Sequence, residues 1–516
     1  MTRAVALRSL VALGLLAACA HAPPAPPPPP PPPVVVVAPP VASAAPSASA
    51  AAPVDDSFRE QPPPPAPMKA FALPGATRER LRNGIPVLVV HQSSPFVALR
   101  VVASGGLADA GPDHAAVLDE MMFAMHGGTT SHSLFEMRST YITLGMPEPE
   151  TTWYADAVSV AFVAPVARLP QAVELAADFT LRPSFDVKNF ERWRGQNAST
   201  AERQTDDAAL VSERVLWCVL FGPGSCGAGT LSAARTRAVK RAEVVALHER
   251  VFDASRLSLV VAGGADDSDV ISALDNTFGM ITASGAPPPR PPAVPPATRL
   301  VVVDKPGTAI AAIATGFVGP AFGAPDAEAA IVAAGVLDDG SFGRLTTRLH
   351  TERHDVPWIT ARSSQDHDAG ELGWVTRAAN DRVGPALAEA DQVVRTFVAD
   401  GPEEEELRSV RDRNAFAFAG LFQTAPDTAR EWSWVLAYGQ PDEALLKRPQ
   451  RYGAVTRETA RSVAARYLDA ERMHTVVVGD WSALRGPLTS LGWGAIQIRT
   501  PLGAVLRTEQ SRRVKH

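Results

Sequence analysis

Two acidic side chains, Asp119 and Glu120, stand together in the apolar run Ala115-Ala-Val-Leu-Asp-Glu-Met-Met-Phe123, with His114, His126 and His132 close by. Carboxylates and imidazoles bind divalent cations and move protons at reacting atoms, so chemistry is sought here first. The spacing does not gather the imidazoles. On a helix His114 and His126 are separated by a rotation of ~120°, and Gly127-Gly128 interrupts the helix before His132. Surface or loop histidines are the expectation. Glu120 remains a weak candidate ligand, because one carboxylate does not make a metal site. A second group of polar and aromatic residues, Arg344, His350 and Trp358, lies in Gly343-Arg-Leu-Thr-Thr-Arg-Leu-His-Thr-Glu-Arg-His-Asp-Val-Pro-Trp358.

These residues need elements to position them. The apolar run Val97 to Ala103 predicts a strand, and Ser104-Gly105-Gly106 a turn. Ala116, Val117, Met121 and Phe123 then recur at helical spacing, predicting a buried helix that begins near Pro112. Further on the chain repeats itself. Ala238-Val-Lys-Arg through Val260-Val-Ala-Gly263 matches Ala454-Val-Thr-Arg through Val476-Val-Val-Gly479 at a constant offset of 216 residues. Identical pairs include Arg241 and Arg457, Asp253 and Asp469, Arg256 and Arg472, and Gly263 and Gly479. Each copy predicts a helix, a D-A-x-R turn and a buried strand ending at glycine. Gly111-Pro112-Asp113 and Ala324-Pro325-Asp326 correspond more weakly. Between the copies lies Ala286-Pro-Pro-Pro-Arg-Pro-Pro-Ala-Val-Pro-Pro296, a linker by composition. The expected architecture is α+β: two homologous lobes, 67–283 and 299–510, each a mainly antiparallel or mixed sheet covered by helices and joined by a proline-rich linker, 284–298.

Residues 1–18 read as a secretory signal, with Arg3 and Arg8 before an apolar run too short to span a bilayer, which needs ~20 residues. Leu16-Ala17-Ala18-Cys19 resembles a bacterial lipobox, which implies Cys19 as the lipidated first residue of the mature protein. Ala20 after it, by resemblance to lipoprotein sorting, implies the outer membrane. An ordinary cleaved signal is the alternative. Residues 19–66 are rich in Pro and Ala and include an unbroken run from Pro26 to Pro33. Such composition buries no core and is expected to be extended or disordered. Its upper reach is on the order of 140 Å at ~3.1 Å per residue, the form of a stalk. Three cysteines then divide into Cys19 and a pair, Cys218 and Cys226, for which an oxidising compartment predicts a disulfide. Two separate thiols, with Cys218 in a helix core beside Trp217, are the alternative. The net charge of −6, from 49 basic and 55 acidic residues, lacks any basic block except the short tail Arg512-Arg513-Val514-Lys515. Nucleic acid is excluded as an expected partner.

The stretch Ala115 to Phe123, with its preceding strand and turn, resembles the zinc-site helix of the pitrilysin/insulinase metallopeptidases. Those enzymes carry H-x-x-E-H here, in the form A-H-F-L-E-H-M-L-F, whereas this chain has Ala116 and Glu120 at the histidine positions and Asp119 at the glutamate. Leu81-Arg-Asn-Gly-Ile-Pro-Val-Leu-Val-Val90 is similar to the family's opening hairpin, and Leu175-Ala-Ala-Asp-Phe-Thr-Leu-Arg-Pro-Ser-Phe185 to its helix and turn. The resemblance spans nearly all of 67–490 and implies two lobes arranged as a clam shell.

The resemblance also implies a zinc peptidase whose metal ligands are gone. Two histidines at i and i+4 grip zinc while a carboxylate works on its bound water. Ala116 has no ligand atom, and Asp119 is one methylene shorter than glutamate. The family's third ligand would fall near Thr200, leaving Glu202 as a weak candidate on the wrong helix face. The substrate-pairing edge strand should follow Gly145, where Met146-Pro-Glu-Pro-Glu150 would lack two successive backbone donors. In the second lobe, His350 and Trp358 stand where metal-free partners in two-subunit bacterial relatives carry a substrate-binding Arg and Tyr, and Arg344 keeps the helix frame; the resemblance implies peptide binding there by hydrogen bond and stacking, with frame residues after loss of function as the alternative. The expectation is a lipid-anchored, catalytically degenerate homologue without its own zinc, serving as a non-catalytic subunit or peptide-binding scaffold. Its expected partners are unfolded peptide or an active insulinase-like subunit. A working peptidase completed by an H-x-x-E-H partner, or a purely structural envelope protein, are the alternatives.

Overall fold

The computed structural model describes residues 73–110, 114–222, 230–284, 298–338 and 342–510. The signal, Cys19, the stalk, the proline linker and Cys226 lie outside the described residues, as does Pro112, the expected start of the opening helix; helical conformation runs over Ala115–Ala124. The strands are β1 (Ala76–Arg80), β2 (Pro86–His91), β3 (Phe96–Ser104), β4 (Glu150–Trp153), β5 (Ala157–Pro165), β6 (Leu257–Gly263), β7 (Leu300–Asp304), β8 (Ile310–Gly319), β9 (Ile359–Gln365), β10 (Gly370–Ala379), β11 (His474–Gly479), β12 (Ala495–Arg499) and β13 (Val505–Gln510).

They form two sheets, ordered β1-β2-β6-β3-β5-β4 and β13-β12-β7-β11-β8-β10-β9. Without the outer strands β1, β12 and β13, the two orders correspond strand for strand. In both, the repeated strand pairs parallel on one side, β6 with β2 and β11 with β7, and antiparallel on the other, with β3 and β8. The architecture is α+β, two lobes of one topology. The D-A-x-R turns are alike in detail. Asp253 accepts from the Ser255 amide at 2.9 Å and Asp469 from the Glu471 amide at 3.0 Å, each opening a single 3₁₀ turn ahead of the strand.

The central strands are apolar on both faces, which explains runs such as Val87-Leu-Val-Val90. In β2, Val87 and Val89 join the core under the first half's own helices, while Leu88 and Val90 join a different cluster with Phe422, Trp432 and Val435 of the second half. That cluster is built on the helix Ala425–Ala437. The reverse holds in the other sheet. Val301, Val303, Val476 and Val478 pack with Val211, Val215, Leu216 and Leu220 of the first half's helix Ala208–Phe221. Each half therefore lends a helix to the outer face of the other's sheet. At roughly 1.5–3 kcal/mol for each fully buried large apolar side chain, the halves cannot separate without uncovering two sheet faces. A polar latch closes the same interface. Asp156, in the turn after β4, accepts from the His367 amide at 2.7 Å and from the Tyr438 hydroxyl at 3.1 Å.

Candidate functional site

The opening helix is buried along nearly its whole length, so its polar side chains must find partners inside the protein. Glu120 is 1% exposed. Its Oε2 accepts from Asn197 Nδ2 at 2.7 Å, and its Oε1 is buried with no hydrogen-bond partner. Asn197 arrives on the helix Val187–Thr205, whose start is fixed by Asp186 accepting from the Asn189 amide. Burial pushes the Glu120 carboxyl up to about 8, with the Asn197 bond opposing, so the group is a neutral acid at physiological pH.

Asp119 is held differently. Trp153, the last residue of β4, donates from Nε1 to Asp119 Oδ1 at 2.9 Å. Burial raises the Asp119 carboxyl, while the Trp153 bond and the charge of Arg214 act the other way. Arg214, on the lent helix Ala208–Phe221, lies over the Trp153 ring at 4.7 Å. Its neighbour Glu213 accepts from Arg362 of β9 at 2.6 Å, and Arg362 also faces Glu371 of β10 at 3.6 Å. Burial lowers the Arg214 pKa, with Asp119 and Glu213 opposing. The charge facing Asp119 is thus a guanidinium, and the neighbouring Glu213 is in turn paired with Arg362 of the second half.

This donor set does not fit a catalytic zinc. Ala116 has no ligand atom, Asp119 is bonded to an indole, and Glu120 is a protonated carboxyl sealed by an amide. Among the described residues no three or more His, Cys, Asp or Glu side chains converge as a cation site.

Several expectations need correction. The residue facing Glu120 from the following helix is Asn197, about one turn before Thr200; Glu202 is exposed and pairs with Arg237. His126 is half-buried rather than at the surface. It meets Thr151 Oγ1 of β4 at 3.1 Å and the edge of the Phe179 ring, and burial lowers its pKa to about 4. His132 belongs to a different cluster, in which the buried Asp178 gathers Thr129, Ser131, His132 and Arg182; His114 is exposed. The prolines at 147 and 149 precede the edge strand instead of occupying it, and β4 contains no proline. Its backbone donors are intact. What occupies the space beside it is Thr151 and Trp153, turned onto His126 and Asp119.

In the second half Arg344 is engaged within the protein. It donates to Glu406 from Nε at 2.8 Å and from Nη2 at 2.7 Å, donates to the Gly401 carbonyl, and lies over the Phe397 ring. His350 and Trp358 are exposed, His350 with Nδ1 at 3.0 Å from the Val356 carbonyl. Cys218 is disulfide-bonded, its partner lying outside the described residues along with both other cysteines. Asn197, Trp153 and Arg214 escaped the sequence analysis. Nothing local marks an Asn in mid-helix or a lone Trp in a strand as partners of residues tens of positions away.

Residues 238–414 match the family model described as the peptidase M16 inactive domain. No curated protein sequence matches. Among solved structures, the chain is similar to a peptidase M16 inactive domain from Pseudomonas fluorescens, with a TM-score of 0.73 and 16% identity, covering 79% of this chain and 98% of that one. A protease from Helicobacter pylori gives 0.71 and 15%, covering 79% and 100%. The periplasmic protease PqqL from Escherichia coli gives 0.68 and 13%, covering 80% of this chain but 46% of that one. At such identities these structures share the fold.

Proposed function

We propose that the chain, whose residues 238–414 match the peptidase M16 inactive-domain model, is a pitrilysin-like protein that works without zinc, as a peptide-binding scaffold or non-catalytic subunit anchored in the bacterial envelope. The observation that carries this is the sealing of the opening helix. Where a metallopeptidase needs two imidazoles and a free carboxylate around an open coordination position, this protein has a methyl group, an indole-bonded carboxylate and an amide-bonded neutral acid.

The lipobox-like Leu16-Ala17-Ala18-Cys19 and the proline-rich stretch behind it support a lipid-anchored protein on a stalk, facing the periplasm from the outer membrane. An M16-type subunit with an intact H-x-x-E-H helix is a fitting partner for a chain that carries Ala116, Asp119 and Glu120 at those positions.

Metal analysis of the purified full chain, with a peptidase assay on unfolded polypeptide, tests the proposal. No stoichiometric zinc and no cleavage by the chain alone are expected. One equivalent of tightly bound zinc together with cleavage would end it.

A further inference from the structure

The last strand of the seven-stranded sheet, β13, pairs with β12 on one side, and among the described residues no strand pairs with its other side. Such an edge offers a row of backbone donors and acceptors to another chain. No residue of β13 is buried. Val505 and Leu506 are 52% and 61% exposed, two large apolar side chains in succession. The register with β12 skips Leu506, a bulge, and then runs regularly from Arg507 to Gln510.

The charges on that regular stretch have a definite order. Arg507 and Glu509 flank Thr508, so they share one face, the face of Ile498 and Ile496 on β12. Both already have partners within the chain. Arg507 Nε lies 3.2 Å from Glu509 Oε1, and Arg485 Nε, on the helix Trp481–Thr489, lies 3.0 Å from Glu509 Oε2. A carboxylate accepts up to about four hydrogen bonds and a guanidinium donates five, so both groups keep capacity for a further partner, and Arg507 is exposed.

Two antiparallel edge strands related by a two-fold axis across the sheet meet at one residue, and its neighbours pair crosswise. With the axis at Thr508, Arg507 of each copy stands opposite Glu509 of the other. One residue either way sets Arg507 against Arg507 or Glu509 against Glu509, which is repulsive. β1, the end strand of the other sheet, has no favourable register of this kind. An axis at any residue of Arg78-Glu79-Arg80 sets a charge against its own copy, and at Glu79 it also sets Arg78 against Arg80. Arg78 is moreover drawn to Asp442.

We propose that β13 is a self-association edge. A second copy of this chain adds its own β13 antiparallel, about a two-fold axis at Thr508, and joins two seven-stranded sheets into one. The order Arg-Thr-Glu argues for a second copy, because that order is complementary to itself. Gln510 of each copy then lies opposite Leu506 of the other and covers part of its apolar surface. The inference is independent of whether the chain binds zinc or peptide.

Sedimentation velocity of the full chain over a range of concentrations tests it. The parent is expected to move from one chain mass toward two as concentration rises, with amide exchange slowing across Arg507–Gln510. Arg507→Glu and Glu509→Arg should each weaken association about tenfold or more, since each sets two like-charged pairs across the axis. Mixed in equal amounts, the two variants should associate with each other, because a wholly acidic pair of positions then faces a wholly basic one. Such rescue cannot arise from contacts within one chain, Arg485 included, nor from variants that fail to fold. A parent that stays monomeric at every concentration would overturn the assignment. So would variants that associate as the parent does, which would place the second copy on another surface, or variants that stay apart when mixed.

Discussion

The first half's edge strand, β4, ends on a tryptophan turned into the protein, and the second half's, β9, follows one turned out. Trp153 donates to Asp119 and lies under Arg214, whereas Trp358 is 37% exposed and precedes an edge strand that has no outer partner among the described residues. The two strands occupy corresponding places in sheets of one topology. The difference therefore lies in what each faces. β4 lies beside a helix that still carries two carboxylates, which burial makes costly unless they are bonded. On the opposing helix of the second half, matched through Pro112 and Pro325, Val332 and Ala333 stand at those places and ask for no partner. One half spent its edge residues on sealing a polar site. The other was free to keep its edge open.

The largest effect should come from breaking the inward tryptophan. Trp153→Ala removes the donor to a buried carboxylate and leaves a cavity under Arg214, so a loss of ~3–5 kcal/mol is expected by urea unfolding. Trp358→Ala should stay within ~0.5 kcal/mol; equal losses at the two sites would refute the contrast. Next is the pH dependence of the sealed acid. The Glu120 pKa is raised from 4.5 to about 8 in the folded protein, so the folded state keeps a proton that the unfolded chain releases. Its contribution is full below about 4.5 and is lost as pH rises toward about 8. Glu120→Gln should therefore match the parent in acid and exceed it at alkaline pH by a few kcal/mol, at ~1.4 kcal/mol per pKa unit. Parallel stability curves for the two proteins would exclude a protonated Glu120. Smallest is Arg344→Gln, which removes a partly exposed two-point bond to Glu406. About 1 kcal/mol is expected by urea unfolding.

Much of the fold was legible in the chain. The offset of 216 residues and the D-A-x-R turns announced two copies of one supersecondary unit, because an Asx turn and an apolar run are local features. The emptied ligand position at Ala116 was equally local. The site's present contents were not. Counting along the helix Val187–Thr205 put the facing residue about one turn late, because rotation about a helix magnifies an error of a few residues. The prolines at 147 and 149 were read into the edge strand because composition does not say where pairing starts. His126 looked like a loop residue because it follows the helix, and only the contacts with Phe179 and Thr151 show it half-buried.

By itself the sequence determined that there are two halves of one design and that Ala116 offers no ligand atom, since a repeat and an absent side chain need no partner to be seen. Tertiary structure alone decided what surrounds that helix. The exchange of helices between halves brings Arg214 over Trp153. These are long-range contacts, set by how two sheets pack through each other's helices, and no local pattern along the chain encodes them.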